Sequence, residues 1–310
     1  GERAVNIKML SGRGRLASKD DLAVDTAVLL LTIVTLIIVV YPLIFVLSAS
    51  VSEPLSVVRG EVRLLPVGFT LEGYGRILEY KPVWRGYANT IVYTVCGTIV
   101  SLVATIPGAY VLSRREIRGH GFFTAYFAIT MFFNAGLVPT YLAVQSYGML
   151  DTMWPLILGG AVSMSHLIVV RTYFNTSIPK DLSEAAFIDG CSDFRLFFEI
   201  MLPLAKPVIA VIALYAAVAQ WNSYFKPLIY LSDPTKYPLQ VHLRNILIMG
   251  ETTDFMGSDA DELADMVRLR QLRESMKYGL IVVSALPMLC VYPFLQRFFM
   301  KGIMMGSVKG

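Results

Sequence analysis

Six apolar stretches dominate this sequence, each close to the roughly 20 residues needed to cross the core of a bilayer. They run over residues 25–50, 88–113, 122–147, 152–174, 203–231 and 278–299. With 55% of residues apolar and only 16% charged, a water-soluble fold could not cover the apolar surface. The expected class is therefore all-α, a polytopic membrane protein with six transmembrane helices. The first run is too long for a signal peptide and lacks a small-residue cleavage site. Pro42, Pro107, Pro139, Pro155 and Pro287 fall in or at the ends of the runs. They predict kinks, which either line a pathway or only aid packing.

Charge orients the spans. Arg3, Lys8, Arg13, Arg15 and Lys19 precede the first run, Arg114, Arg115 and Arg118 follow the second, and Arg297, Lys301 and Lys309 follow the sixth. The short connection around residues 148–151 has no Lys or Arg. By the positive-inside rule both termini are expected in the cytoplasm. The chain then reads as a cytoplasmic N-terminal segment, 1–24, and a transmembrane domain, 25–310, with outer loops at 51–87 and 232–277. The second outer loop holds "ETTDFMGSDADELAD", either a solvated segment or a docking surface. The basic residues form no stripe with interleaved aromatics, which argues against nucleic acid. Cys96, Cys191 and Cys290 lack metal-ligand spacing, and Cys96 and Cys290 read as small buried apolar residues.

One stretch does not suit a membrane. "SEAAFIDGCSDFRLFFEIMLP", Ser183 to Pro203, places Glu184, Asp189, Asp193, Arg195 and Glu199 between the fourth and fifth runs. Pro179 suits a helix start, with Asp181 and Glu184 in its first turn. Gly190 is expected to end that helix in the left-handed conformation. Ser192 is expected to cap a second helix through Phe194, Phe197, Phe198 and Ile200. Ala185 and Ala186 expose little side chain, so another protein could approach closely. The alternative is an amphipathic hairpin on the membrane surface.

Glu184-Ala185-Ala186, then Gly190 after three residues, then Ile200-x-Leu202-Pro203 after nine more resembles the EAA signature of ABC importer permeases that depend on an extracytoplasmic binding protein. "MFFNAGLVPTYL", "IPKDLSEAAFIDGCSDF", "QWNSYFKPLIYL", "YPLQVHLRNIL" and "FFMKGIMMGSVKG" are similar to its carbohydrate-uptake branch, which includes carriers of uronate oligosaccharides such as alginate or pectin fragments. The resemblance implies a type I importer permease fold in the inner membrane, with residues 175–203 as the coupling loop. It implies a second, related permease, two ATPase subunits that hold ATP and Mg, and an external sugar-binding protein. Glu184, Ala185, Ala186, Gly190, Ile200, Leu202 and Pro203 would then serve ATPase coupling.

The rest of the chain narrows the classes. No phosphate-binding loop, no HExxH, no GxSxG and no Cys/His cluster is present, so no catalytic residue, metal site or cofactor is expected. His120, His166 and His242 are isolated. His166, within the fourth run, reads as a packed histidine or a substrate contact. A secondary transporter would show intramembrane carboxylates and inverted repeats, and neither is evident. That class and a membrane-embedded enzyme are the alternatives. For the pathway, the fifth run offers Gln220, Trp221, Asn222, Ser223 and Tyr224 in its outer half, a polar set costly to face lipid and suited to sugar hydroxyls and ring faces. The competing role is an interfacial aromatic belt with Asn222 joining helices. On one continuous helix, Lys226 would reach the outer interface and either snorkel there or attract a carboxylate. Asn134 and Tyr141 on the third run are weaker candidates.

Overall fold

The computed structural model describes residues 19–133, 135–249, 274 and 276–293. The chain divides between Thr70 and Leu71 into two compact units.

The first unit is built on α1 (Lys19–Ser50) and the short α2 (Pro54–Val58). Residues of α1 from Val24 to Leu47 are exposed on every side of the helix, a surface that only lipid or another membrane helix can cover. The segment after α1 folds back on the helix end through hydroxyls. Ser48 donates to the Leu64 carbonyl at 2.6 Å, and Ser52 Oγ accepts from the Val67 amide at 3.1 Å.

In the second unit α3 (Glu72–Glu79) leads into α4 (Lys81–Ser113), α5 (His120–Phe132), α6 (Leu137–Ser146), α7 (Trp154–Leu158), α8 (Met164–Thr176) and α9 (Lys180–Ile188). Then come α10 (Asp193–Arg195), a π-helical turn at Leu196–Met201, and α11 (Leu202–Leu204). The unit continues with α12 (Lys206–Trp221), α13 (Phe225–Tyr230) and α14 (Leu239–Met249), and ends with α15 (Met276–Pro293). No strand occurs among the described residues. Three helices there are long and apolar enough to cross a membrane, and five spans result if the bent pairs α5–α6 and α10/α11–α12 each count as one.

Several expected runs are broken. The first outer loop, expected at 51–87, contains α2, α3 and the start of α4. The fourth run, expected as one helix over 152–174, is split into α7 and α8. Gly160 lies in the break at φ 107°, where L side chains are disfavoured. The fifth run, expected over 203–231, bends by 76° between Leu204 and Lys206. Pro207 lacks the N–H that would continue the ladder there. The run stops again at Trp221, and Pro227 likewise donates nothing back across the gap to α13. The third run bends by 115° between α5 and α6. Residues 1–18, the acidic run at 251–265 and the end of the sixth run with its tail lie outside the described residues.

Helix α4 is the hub. One of its stripes, Gly86, Thr90, Thr94, Gly97, Ser101, Thr105 and Ala109, is buried. Small residues at three- and four-residue spacing let neighbouring helices approach closely in a membrane, where there is no hydrophobic drive to press them together. A Cβ at Gly86 would stand 2.7 Å from the His242 ring, and one at Gly97 would overlap the Gln220 amide. Toward the α9 end, α4 contributes Ile106, Ala109 and Leu112 to a cluster with Leu167, Val170 and Phe174 of α8 and Val208 and Ile212 of α12. Cys290 is exposed, and Cys96 is half-buried. The expected burial of Cys290 therefore fails, because it points out of the bundle.

Candidate functional site

Helix α9 starts after Pro179, whose extended backbone (φ −61°, ψ 136°) caps it. It ends in a Schellman motif: Gly190 N–H donates to Phe187 O at 3.0 Å and Cys191 N–H to Ala186 O at 2.9 Å. Gly190 sits at φ 76°, the left-handed conformation this motif requires. Ser192 Oγ then accepts from the Arg195 amide at 3.4 Å. Both helix boundaries read from the sequence therefore appear in the fold. The expectation that Ala185 and Ala186 share an open face does not. Adjacent helical residues point about 100° apart, so Ala185 is exposed while Ala186 is buried among Leu196, Phe197 and Met201. Glu184 and Pro203 are exposed, and Ile200 and Leu202 pack partly against that same cluster.

An arginine that the sequence reading used only for orientation proves central here. Arg114, just past α4, donates to the Tyr110 hydroxyl at 2.9 Å. Its guanidinium lies 5.2 Å from the Tyr110 ring centre and 5.7 Å from that of Phe187 on α9. Tyr110 in turn meets Phe174 edge-on and Phe197 at a tilt, with centroids 5.6 and 4.9 Å away. One cation and four rings thus tie α9 to α4, α8 and the π-helical turn. A cavity of about 500 Å³ opens beside this cluster, lined by Arg114, Arg115, Lys180, Glu184 and Phe187 among others.

Further along the bundle α4, α8, α12 and α13 line a second, open-sided cavity of about 330 Å³. Its walls include Gln220, Asn222, Ser223, Tyr224 and Lys226, together with His166. The breaks in the fourth and fifth runs place these groups. Gln220 Nε2 donates to Leu156 O at 3.0 Å, and the Lys226 ammonium donates to Gly159 O. Both satisfy carbonyls that the short α7 leaves open at its C-terminal end. Lys226 does not lie on the continuous fifth helix that was expected: α12 ends at Trp221, and Lys226 lies on α13 and reaches back to the break in the fourth run. The His166 ring stacks on Tyr215 at 5.9 Å, and its Nδ1 has no partner among the described residues.

Two of the expected pathway residues are absent from this wall. Trp221 is 3% exposed. Its indole N–H donates to Ser284 O on α15 at 2.9 Å, and its ring meets Tyr87 edge-on. Trp221 is a packing residue between α4, α12 and α15. Tyr141 stacks on Tyr230 with centroids 6.3 Å apart. Asn134 lies outside the described residues.

At the far end from α9, a polar network adjoins the stacked rings of Tyr141 and Tyr230. Asp151, at φ 56°, accepts from the Ser232 and Asp233 amides at 3.1 and 3.0 Å and pairs with Lys236 at 2.5 Å. Lys236 also donates to Asp151 O at 2.8 Å. The bond to Lys236 first, and then the two amides, hold the Asp151 carboxyl down at about 2. Asn89 donates to Thr235 O and Tyr237 O, Tyr93 to Lys236 O, and Leu239 N–H to Thr90 Oγ1. Sequence reasoning missed this network. Its signal is a lone acid after a glycine turn, and its partners are more than 80 residues away.

The family described as "Binding-protein-dependent transport system inner membrane component" matches residues 85–250. "Protein LplC" of Bacillus subtilis (strain 168) is 38% identical over 273 residues, covering 88% of this chain and 90% of that protein. The "Polygalacturonan/rhamnogalacturonan transport system permease protein YtcP" of the same organism is 39% identical over 274 residues, covering 88% and 94%. A solved chain from the "Crystal structure of a bacterial ABC transporter involved in the import of the acidic polysaccharide alginate" superposes with a TM-score of 0.82 at 35% identity, covering 92% of this chain and 99% of that one.

Proposed function

The chain belongs to the family of binding-protein-dependent transport system inner membrane components, and from that premise we propose that it is one of two permease halves of an ATP-driven importer of acidic oligosaccharides. It is a membrane-spanning, non-catalytic subunit. Partner ATPases carry ATP and Mg. A second, related permease completes the pore, and an external binding protein delivers sugar. Both termini and α9 face the cytoplasm, where α9 is the coupling helix and Glu184, Ala185, Gly190, Ile200, Leu202 and Pro203 shape the ATPase contact. Ala186 serves it from the inside, by anchoring the helix.

One observation carries this reading. Helices α4, α8 and α12 share one apolar cluster with Ala186 of α9, to which they contribute Ile106, Val170 and Val208, and further along they line the polar cavity through Gly97, His166 and Ala216. Movement of α9 by an ATPase is thus passed through three packed helices to the cavity wall. The acidic substrate class draws on the polygalacturonan and alginate systems among the relatives, and on the single lysine in a cavity whose other walls hold amides, hydroxyls and small residues together with His166 and Phe225. Gln220, Asn222, Ser223 and Tyr224 are its sugar-facing groups.

Vesicles reconstituted with both permeases, the ATPases and the binding protein test this. Labelled oligosaccharide should accumulate only with hydrolysable ATP. Accumulation driven by an ion gradient without the ATPases would make the chain a secondary transporter, and chemical change of the sugar would make it an enzyme. Asn222→Ala should slow uptake roughly tenfold through loss of one polar contact while leaving assembly intact. Normal uptake by that variant would remove the cavity from the route. A cysteine at exposed Ser192, with the native cysteines replaced, should react with an impermeant thiol reagent only from the cytoplasmic side, and labelling from outside would invert the topology.

A further inference from the structure

Lys226 is a cation inside a membrane domain whose recorded partner is the neutral Gly159 carbonyl. Among the described residues no carboxylate lies within ion-pair distance of it. Intramembrane charges are costly and are ordinarily matched by an opposite charge. The match here is missing at the wall of a cavity, and the local backbone keeps the approach clear. A Cβ at Gly160 would stand 3.0 Å from Lys226 Nζ, so a side chain there would crowd the ammonium. Asn222 and Ser223 line the same cavity and offer neutral hydrogen-bonding groups beside it.

We propose that Lys226 is an exchangeable pin, which in the empty cavity ties α13 to the open end of α7 and in the loaded cavity turns to a carboxylate of the oligosaccharide. This rests on the importer reading above and adds to it how the substrate is sensed. The bond to Gly159 has one charged member, and a carboxylate adds to it the Coulomb attraction of an opposite charge, so a carboxylate within reach displaces Gly159. The lysine stem is flexible and its ammonium has three donors, which permits the turn without moving the backbone. Once Lys226 has left, α7 and α13 lose a direct tie across the break in the fourth run. An acidic sugar thus loosens the cavity wall that it must pass, and a neutral sugar of the same size does not.

The experiment compares a uronate trisaccharide with its carboxyl-reduced, neutral counterpart in reconstituted vesicles. The binding protein is supplied fully loaded with either sugar, so that its own preference is saturated. The wild-type complex should turn over the acidic sugar roughly tenfold faster than the neutral one. Lys226→Gln should erase that ratio by raising turnover of the neutral sugar toward that of the acidic one, and should raise ATP hydrolysis without sugar several-fold, because the pin is gone. Lys226→Arg should keep the ratio. Equal wild-type turnover of the two sugars overturns the proposal even if Lys226→Gln fails to assemble. So does an assembled Lys226→Gln that retains the ratio or slows both sugars alike. Uptake of neither sugar by the wild-type complex is a different result, since it removes the importer reading itself.

Discussion

At one end of α4, Tyr110 lies against Phe174 and Phe197, with Arg114 reaching over Phe187. At the other end of the same helix, Asn89, Thr90 and Tyr93 bond main-chain atoms of residues 235–239. The first end is joined by side chains packing on side chains; the second adds to such packing, in the cluster of Ile77, Val83, Leu239 and Leu280, side chains that bond to backbone. Packed cores respond as units and deform little. Single hydrogen bonds to a short 3-10 turn and to the first residue of α14 can open one at a time, each worth on the order of 1 kcal/mol. The α9 end is therefore built to transmit displacement. The far end is built to hold a chain segment in place over the helix.

The strongest way to break this contrast is at Gly190. Its φ of 76° is unfavourable for side chains, yet a Cβ there would meet nothing within 4 Å. Any penalty is thus purely one of backbone conformation, about 1–2 kcal/mol for an ordinary residue and more for a β-branched one. Gly190→Val should abolish uptake, with the ATPases detached or no longer stimulated by loaded binding protein. Gly190→Asn should retain most of it, because asparagine tolerates the left-handed region. A fully active, assembled valine variant would mean that the α9 end does not transmit.

Arg114 sharpens the contrast at smaller scale. Cation–π contacts are worth about 0.5–1 kcal/mol each when partly exposed, and its hydrogen bond to Tyr110 adds a similar amount. Arg114→Gln should lower the number of sugars moved per ATP several-fold while the complex copurifies intact. Arg114→Lys should fall between, keeping the charge but losing the planar face that lies over two rings. Unchanged stoichiometry in Arg114→Gln would make the cluster mere packing.

What the sequence disclosed follows the same division. Around α9 the determinants are local: Pro179, Gly190 and Ser192 act within one or two turns, so their positions predict the boundaries found. The substrate groups were legible only in part. Gln220, Asn222, Ser223 and Tyr224 are polar residues in an apolar run, which marks them as facing a cavity or a partner. Trp221 carries the same mark, yet its N–H is spent on Ser284 O, 63 residues away. The partner of Lys226 was hidden because apolar runs give span length and not continuity. The helix breaks depend on Pro207 and Pro227, and on Gln220 and Lys226 satisfying the carbonyls that the break in the fourth run exposes. No local pattern reveals such partners, and the Asp151 network is hidden for the same reason.

The gentlest test falls on that network. Asp151 is held well below the ordinary 3.8, at about 2, chiefly by its bond to Lys236. A carboxyl lowered in the folded state stabilises fully above its unfolded value and loses that contribution as pH falls through 4 toward 2. Lys236 is raised above 10.5 for the reciprocal reason, its bond to Asp151 coming first. It stabilises below its unfolded value and loses that contribution only as pH rises beyond it. Both charges are therefore constant from about pH 5 to 9, and hydrogen exchange at residues 231–239, corrected for intrinsic rates, should be flat across that window. Asp151→Asn keeps a side chain tolerant of φ 56° and an oxygen for the Ser232 and Asp233 amides, but removes the charge facing Lys236. Exchange at residues 231–239 should then rise several-fold, while that of α9 stays unchanged and uptake falls less than about twofold, as expected for one exposed ion pair. A change in α9 exchange would show that the far end is coupled to the packed core, and the two ends would then have to be treated as one mechanical element.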